Sequence, residues 1–70
     1  MNTHLRVLRR ARNITQVQLR DATGIDQALI SKFESGERVP LTEALVILAD
    51  YFDVSIDYIL GRTDKPEVNR

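Results

Sequence analysis

The sequence predicts an all-α fold, a compact five-helix bundle, from three observations. Apolar residues recur at the three- and four-residue spacing of amphipathic helices, no segment alternates with the two-residue period of a strand, and short turn signals separate the apolar stretches. The chain has 70 residues, which suffices for one small domain. We therefore expect the bundle in residues 1–61 and a flexible C-terminal tail in residues 62–70, since this last stretch contains Pro66 and no apolar pattern.

Two end signals define the first helix and the start of the second. The first helix is predicted to open near Asn2 or Thr3 and to end at Asn13, because asparagine tolerates the left-handed conformation found after helix C-termini. Thr15 and Gln18 have the pattern of a capping box, in which the threonine hydroxyl accepts from the amide three residues on and the glutamine side chain bonds back. The second helix should therefore begin directly after Thr15.

A glycine and an aspartate mark the turn into the third helix. Gly24 supplies the positive φ that a three-residue turn between two helices requires. Asp26 can cap the next helix, which should run to about Ser35 with Ile30 and Phe33 facing inward. These signals predict two short helices joined by a tight turn.

The fourth and fifth helices follow a proline and a serine. After Pro40 a helix should start within residues 41–43 and continue to Phe52, because its apolar residues form one buried stripe. Ser55 can cap a last short helix over residues 56–60. The predicted bundle is then complete.

Charge is unevenly distributed along a chain whose formal net charge is zero. Residues 1–20 contain five arginines and no acidic residue, whereas residues 41–60 contain four acidic residues and no lysine or arginine. A neutral chain with this pattern can still present one basic face to an anionic partner.

Several classes of function are disfavoured by the side chains that the sequence lacks. It contains no cysteine and a single histidine, His4, so neither a disulfide framework nor a Cys/His metal site can be assembled. Asp53 and Asp57 are spaced like paired carboxylates, but we interpret them as a turn residue and a first-turn residue that favours the helix dipole. No run of 18 apolar residues and no signal-peptide pattern is present. We expect a cytoplasmic protein that is not an enzyme and has no metal, cofactor or small-molecule ligand.

The stretch ITQVQLRDATGIDQALISKFESGERVP, with LRVLR before it and DYILG after it, resembles the phage repressor/Cro (xenobiotic-response-element) family of helix-turn-helix transcriptional regulators. The resemblance covers about residues 5–61. It implies a lambda-repressor-like DNA-binding domain whose helix-turn-helix is formed by helices 2 and 3, residues 16–35. It further implies sequence-specific binding of double-stranded DNA and regulation of transcription, with repression as the expected outcome.

Base contacts are expected from the side chains of the third helix that point away from its apolar stripe, because an α-helix fits the major groove of DNA. Gln27 can form a bidentate pair with adenine, Lys32 can donate to guanine, and Ala28 offers a methyl group to thymine. Together with Ser31, these residues form what we call the outward row. The alternative is that all four are ordinary solvated helix positions.

Phosphate contacts are expected near helix N-termini and in the loop after the third helix, where backbone amides favour an anion. Thr15 and Gln16 match the family's positions, Ser35 and Arg38 match less closely, and Thr42 is the weakest candidate. For Arg38, a solvated loop arginine is the alternative interpretation.

The resemblance also implies an ion pair between Arg9 and Glu34 that ties the first helix to the end of the third. Its role would be structural, since a buried pair fixes the position of the two helices. We interpret Arg6, Arg10 and Arg12 as a solvated helix face, with phosphate contact as the alternative.

An apolar cluster is predicted outside the buried stripe of the fourth helix. Ile47 and Tyr51 lie four residues apart on another face of that helix, and Tyr58 is predicted to lie nearby. Because exposed apolar clusters usually mark interfaces, we expect a homodimer whose recognition helices lie about 34 Å apart, one turn of DNA. One alternative is that these residues complete the core of a monomer. Another is that the fold serves as a protein-interaction module, such as an antitoxin or anti-repressor.

Overall fold

Five helices account for most of residues 3–68, the part of the chain that the computed structural model describes. They are α1 (Leu5–Ala11), α2 (Gln16–Thr23), α3 (Gln27–Ser35), α4 (Thr42–Phe52) and α5 (Ile56–Ile59). Within these residues no strand occurs, and none of the helices is long and apolar enough to cross a membrane. The prediction of an all-helical domain with five helices is confirmed.

The first helix begins later than predicted because the two residues before it dock the chain onto other helices. The backbone N–H of His4 donates to the carbonyl of Ile59 over 3.0 Å, and the hydroxyl of Thr3 donates to the carbonyl of Phe33 over 2.9 Å. Thr3 therefore lies before the helix and is buried. Asn2, the other predicted start, lies outside the described residues.

The predicted end signals of α2 and α3 are confirmed. Thr15 accepts from the backbone N–H of Gln18 over 3.0 Å, and the Gln18 side chain accepts from the backbone N–H of Thr15 over 2.8 Å. Asp26 accepts from the backbone N–H of Ala28 over 3.1 Å, and Gly24 adopts a φ of 76° in the turn between the two helices. The α2–turn–α3 unit is thus specified by residues within the unit itself.

The core is built from apolar residues of all five helices and of the turns between them. Its buried members are Leu5, Leu19, Ile25, Ile30, Phe33, Leu48, Ala49, Phe52, Val54 and Ile59. Each fully buried leucine or isoleucine side chain stabilises the fold by about 1.5–3 kcal/mol. α2 contributes a single buried residue, Leu19, so most of this helix lies on the outside of the bundle.

Arg12 joins the C-terminal ends of α1 and α4. Its guanidinium donates to the carbonyls of Tyr51 and Phe52 over 3.1 and 3.0 Å, and it lies 5.0 Å from the centre of the Phe52 ring. Carbonyls in the last turn of a helix have no intrahelical partner, so an arginine from another helix satisfies them. Arg12 is exposed, as expected of a solvated helix face, and it also has this structural role at the end of α4.

Residues 62–68 follow α5 without forming a helix. The carbonyl of Pro66 accepts from the backbone N–H of Ser55 over 3.0 Å, and Val68 lines a cleft between α4 and α5 together with Val46 and Ile56. The flexibility of the tail stays a prediction.

Candidate nucleic-acid interface

The outward row lies on the side of α3 that faces away from the core. Ala28, Ser31 and Lys32 are exposed, and Gln27, the first residue of the helix, is half-buried. The four positions follow the helical repeat and therefore share one side of α3, whereas Ile30 on the opposite side is fully buried. A helix with its side chains is about 10–12 Å across, which suits the major groove of about 12 Å.

Three of the predicted phosphate contacts lie at helix N-termini. Thr15 is exposed at the start of α2, and although its hydroxyl oxygen accepts in the capping box, the hydroxyl hydrogen remains able to donate to a phosphate. Gln16, the next residue, is half-buried because its side chain turns toward Glu34. Thr42 is exposed as the first residue of α4.

The other two predicted phosphate contacts follow the end of α3. The hydroxyl of Ser35 donates to the carbonyl of Lys32 over 3.1 Å and accepts from the backbone N–H of Glu37 over 3.3 Å. The Ser35 donor is therefore already used within the protein. Arg38 is exposed, and its backbone N–H donates to the carbonyl of Lys32 over 3.2 Å, which places it beside the end of α3. Arg38 is better placed than Ser35 to reach a phosphate.

A buried carboxylate at the end of α3 connects three helices. The side chain of Glu34 is fully buried, and Arg9 of α1 donates to it twice, from Nε to Oε2 over 2.6 Å and from Nη2 to Oε1 over 3.0 Å. Arg6, one turn earlier in α1, and Gln16 at the start of α2 each donate to Oε1 over 3.3 Å. We call these four residues the Glu34 cluster. The cluster includes the ion pair that the resemblance implies, and it ties α1 and α2 to the end of α3.

The environment of Glu34 keeps this carboxyl group ionised. Burial by itself would raise the pKa of Glu34, but hydrogen bonds from Arg9, Gln16 and Arg6 and the positive charge of Arg9 outweigh it and hold the pKa below its ordinary value of 4.5. The hydrogen bond with Glu34 also raises the pKa of Arg9 against the opposing effect of burial. Since both arginines remain charged, the cluster contains two positive charges and one negative charge.

Two members of the Glu34 cluster are not predicted by the sequence. Arg6 carries one usable signal: it lies three residues before Arg9, so the two side chains share a face of α1. Gln16 carries none, because its approach to Glu34 depends on how α2 packs against α3. Arg10, which follows Arg9 directly, is exposed.

Of the three residues predicted to form a dimer interface, only Ile47 is exposed, with 40% of its surface accessible. Tyr51 is half-buried, and the edge of its ring meets Phe52. Tyr58 is also half-buried: its ring centre lies 4.3 Å from that of His4, whose Nδ1 donates to the Tyr58 carbonyl over 2.7 Å. The two tyrosines therefore pack partly within the chain, and the dimer stays a prediction.

The packed pair α2–α3, with one polar side of α3 facing outward, defines a DNA-binding domain of the helix-turn-helix class. Residues 5–59 match the helix-turn-helix family, and the chain belongs to this family. The resemblance to repressor/Cro-type regulators and the lambda-repressor-like fold are thereby confirmed.

The chain is similar to several proteins named as transcriptional regulators. It is 44% identical over 63 residues to the uncharacterized HTH-type transcriptional regulator YobD of Bacillus subtilis, covering 90% of this chain and 56% of that protein. It is 46% identical over 54 residues to the cryptic phage CTXphi transcriptional repressor RstR of Vibrio cholerae, covering 77% and 48%. It is 39% identical over 60 residues to the HTH-type transcriptional activator BcrR of Enterococcus faecalis, covering 86% and 29%. The chain thus spans about half the length of these relatives or less. No solved structure gave a significant match.

Proposed function

We propose that the chain is a sequence-specific, double-stranded-DNA-binding regulator of transcription that places α3 in the major groove. The observation that carries this proposal is the outward row, in which no residue is buried although α3 is anchored in the core. Similarity to a regulator, a phage repressor and an activator supports a role in transcription. We propose repression, with no catalytic activity and no cofactor.

In this proposal, base and phosphate contacts are divided between different parts of the domain. The outward row reads base edges, with Gln27 on adenine and Lys32 on guanine. Thr15, Gln16 and Arg38 contact phosphates and fix the register of α3 on the duplex, with Ser35 and Thr42 as further candidates. Phosphate contacts carry no sequence information but contribute much of the affinity.

The proposal predicts that DNA affinity falls with rising salt concentration. Bound duplexes are first selected from a random library, and the dissociation constant of a selected duplex is then measured by fluorescence polarization over a series of salt concentrations. Each phosphate neutralised by a lysine or arginine contributes about 0.9 to the slope of the logarithm of the association constant against the logarithm of salt, so Arg38 predicts a slope of at least about −0.9 and every further basic contact steepens it. A scrambled duplex of equal length should bind at least about a thousandfold more weakly.

A protein-interaction module of the same fold is the second candidate. It is favoured by the zero net charge of the chain and by the acidic residues of α4 and α5, Glu43, Asp50 and Asp57. Such a module predicts that no duplex sequence is enriched in the selection and that any residual binding does not depend on sequence. Either result would contradict the DNA-binding proposal.

We further propose that the regulator is a homodimer formed through α4 and α5, with Ile47 in the interface and the outer edges of Tyr51 and Tyr58 beside it. Apolar exposure on these helices supports the proposal, since Val46 and Ile56 are also 42% and 40% exposed. A contiguous apolar patch, unlike single scattered apolar residues, usually marks an interaction site. A two-fold axis through this surface would present two α3 helices to successive major grooves.

The dimer proposal predicts that Ile47→Asp shifts the sedimentation coefficient toward that of a monomer, because a buried unpaired carboxylate opposes association. Val7→Asp is the matched control: Val7 lies on α1 and is 56% exposed, so its replacement should leave the sedimentation coefficient unchanged. If the unsubstituted chain sediments as a monomer well above micromolar concentration, the dimer proposal is wrong.

A further inference from the structure

One oxygen of Glu34 receives hydrogen bonds from three side chains. Oε1 accepts from Arg9 over 3.0 Å and from both Arg6 and Gln16 over 3.3 Å. The Arg9 side chain is largely buried, with 13% accessible, whereas 46% of the Arg6 side chain is accessible. Arg6 and Gln16 are therefore neighbours across a single oxygen, at the outer side of a buried ion pair.

The donors of Arg6 and Gln16 are not exhausted by Glu34. Arg6 contacts the carboxylate through Nε, so the four N–H groups on its two terminal nitrogens remain to bind a second acceptor. A carboxylate only accepts, so the amide nitrogen of Gln16 must face Glu34, and its second N–H also remains. Glu34 thus fixes the orientation of both side chains while it leaves donors on each.

The charges of the Glu34 cluster favour an anion beside Arg6. Arg9 and Glu34 neutralise each other in a pair of short hydrogen bonds, which leaves the more accessible Arg6 as the surplus positive charge. An arginine fork matches the oxygens of a phosphodiester better than a point charge does. Because Gln16 is a proposed phosphate contact at the start of α2 and meets Arg6 at the same oxygen of Glu34, we expect the two residues to reach the same phosphate.

We propose that Arg6 is a further DNA-contacting residue, and that Arg6 and Gln16 together hold one backbone phosphate while Glu34 orients them. This inference rests on the proposed DNA-binding function. It changes the role of Arg6 from a solvated arginine to a phosphate ligand, and it makes Glu34 a positioning residue that does not itself touch DNA.

The experiment compares Arg6→Ala with Arg62→Ala on the selected duplex. Arg62 is a matched control because 68% of its side chain is accessible and it lies beside Asp57 of α5, which has no part in the proposed DNA contacts. Arg6→Ala should weaken binding roughly tenfold, the order expected for one charge-assisted hydrogen bond, and should reduce the slope against salt by about 0.9. Arg62→Ala should change neither quantity. The melting temperature of Arg6→Ala should stay within about 5 °C, because a partly exposed ion pair contributes little to stability.

A double-mutant cycle tests the shared phosphate. If Arg6 and Gln16 hold the same phosphate, the affinity loss of the Arg6→Ala/Gln16→Ala double variant should be smaller than the product of the two single losses. Multiplicative losses would overturn the shared contact. An unchanged salt slope in Arg6→Ala, or an equal reduction in Arg62→Ala, would overturn the role of Arg6 while leaving the proposed function intact. If the unsubstituted chain itself shows no salt-dependent duplex binding, the proposed function fails, and this inference with it.

Discussion

Replacement of Glu34 by alanine should lower the free energy of unfolding by about 3–5 kcal/mol. The variant loses a fully buried carboxylate and leaves the charge of Arg9, of whose side chain only 13% is accessible, without its partner. A single core below about 70–80 residues rarely supplies more than about 3–5 kcal/mol, so the loss is comparable with the stability of the whole domain. Thermal melting followed by circular dichroism should show a fall of at least about 12 °C or no folded baseline, since each kcal/mol shifts the midpoint by about 4–8 °C.

Glu37→Ala is the matched control for this prediction. Glu37 is exposed in the loop that follows α3, so its replacement should change the free energy of unfolding by no more than about 0.5 kcal/mol. A melting temperature for Glu34→Ala within a few degrees of the original would mean that the ion pair does not contribute to stability.

The same carboxylate should make stability depend on acid. Its pKa is lower in the folded state than the ordinary value of 4.5, so its contribution is fully present above that value and is lost as pH falls below 4.5 through the folded pKa. In this range the unfolded chain binds more protons, and stability therefore rises with pH. Glu34→Gln lacks the titrating group, and its urea midpoint should fall less steeply in acid than that of the unsubstituted chain. If the urea midpoints of Glu34→Gln and of the unsubstituted chain fall equally steeply in acid, the attribution of this pH dependence to Glu34 is wrong.

Lys32→Glu should weaken binding to the selected duplex by roughly a hundredfold or more. The change removes the proposed base contact, which would contribute about 1–3 kcal/mol to discrimination, and would place a negative charge in a groove lined by phosphates. Lys32 is exposed on α3, so the fold should be retained. Fluorescence polarization at a fixed salt concentration measures the loss, and circular dichroism verifies the helix content.

Lys65→Glu makes the same charge change in an exposed residue of the tail and should leave the affinity nearly unchanged. Equal losses in Lys32→Glu and Lys65→Glu would show that only the overall charge matters. If Lys32→Glu binds the selected duplex as tightly as the unsubstituted chain, the proposal that α3 contacts DNA is wrong.

The elements that the sequence predicts well are those specified by residues close together in the chain. The capping box at Thr15 and Gln18 and the aspartate cap at Asp26 form over two or three residues, so their patterns can be read directly. Asn13 likewise adopts the left-handed conformation expected of it, with a φ of 55°. Local chemistry of this kind is independent of how the helices pack.

The features that the sequence does not predict depend on packing between distant segments. Arg12 bonds to Tyr51 and Phe52, 39 and 40 residues away, and no spacing rule links these positions. Gln16 reaches Glu34 across 18 residues for the same reason. The outward row is placed by helical periodicity and by the resemblance together, but which base each side chain contacts depends on a duplex.

The attachment of α1 to the end of α3 has a consequence for local opening. Thr3, which precedes α1, donates to the carbonyl of Phe33, and Arg9 of α1 donates to the next residue, Glu34, so α1 and the segment before it hold α3 at two adjacent positions. Unfolding of α1 would break both contacts together and would separate Glu34 from Arg9, its main counter-charge. We therefore expect amide hydrogen exchange in α1 and α3 to be coupled, with the two helices opening as one cooperative unit. Under the proposed function, substitutions on the inner side of α1 should then alter DNA affinity by changing the fraction of molecules in which α3 is correctly positioned.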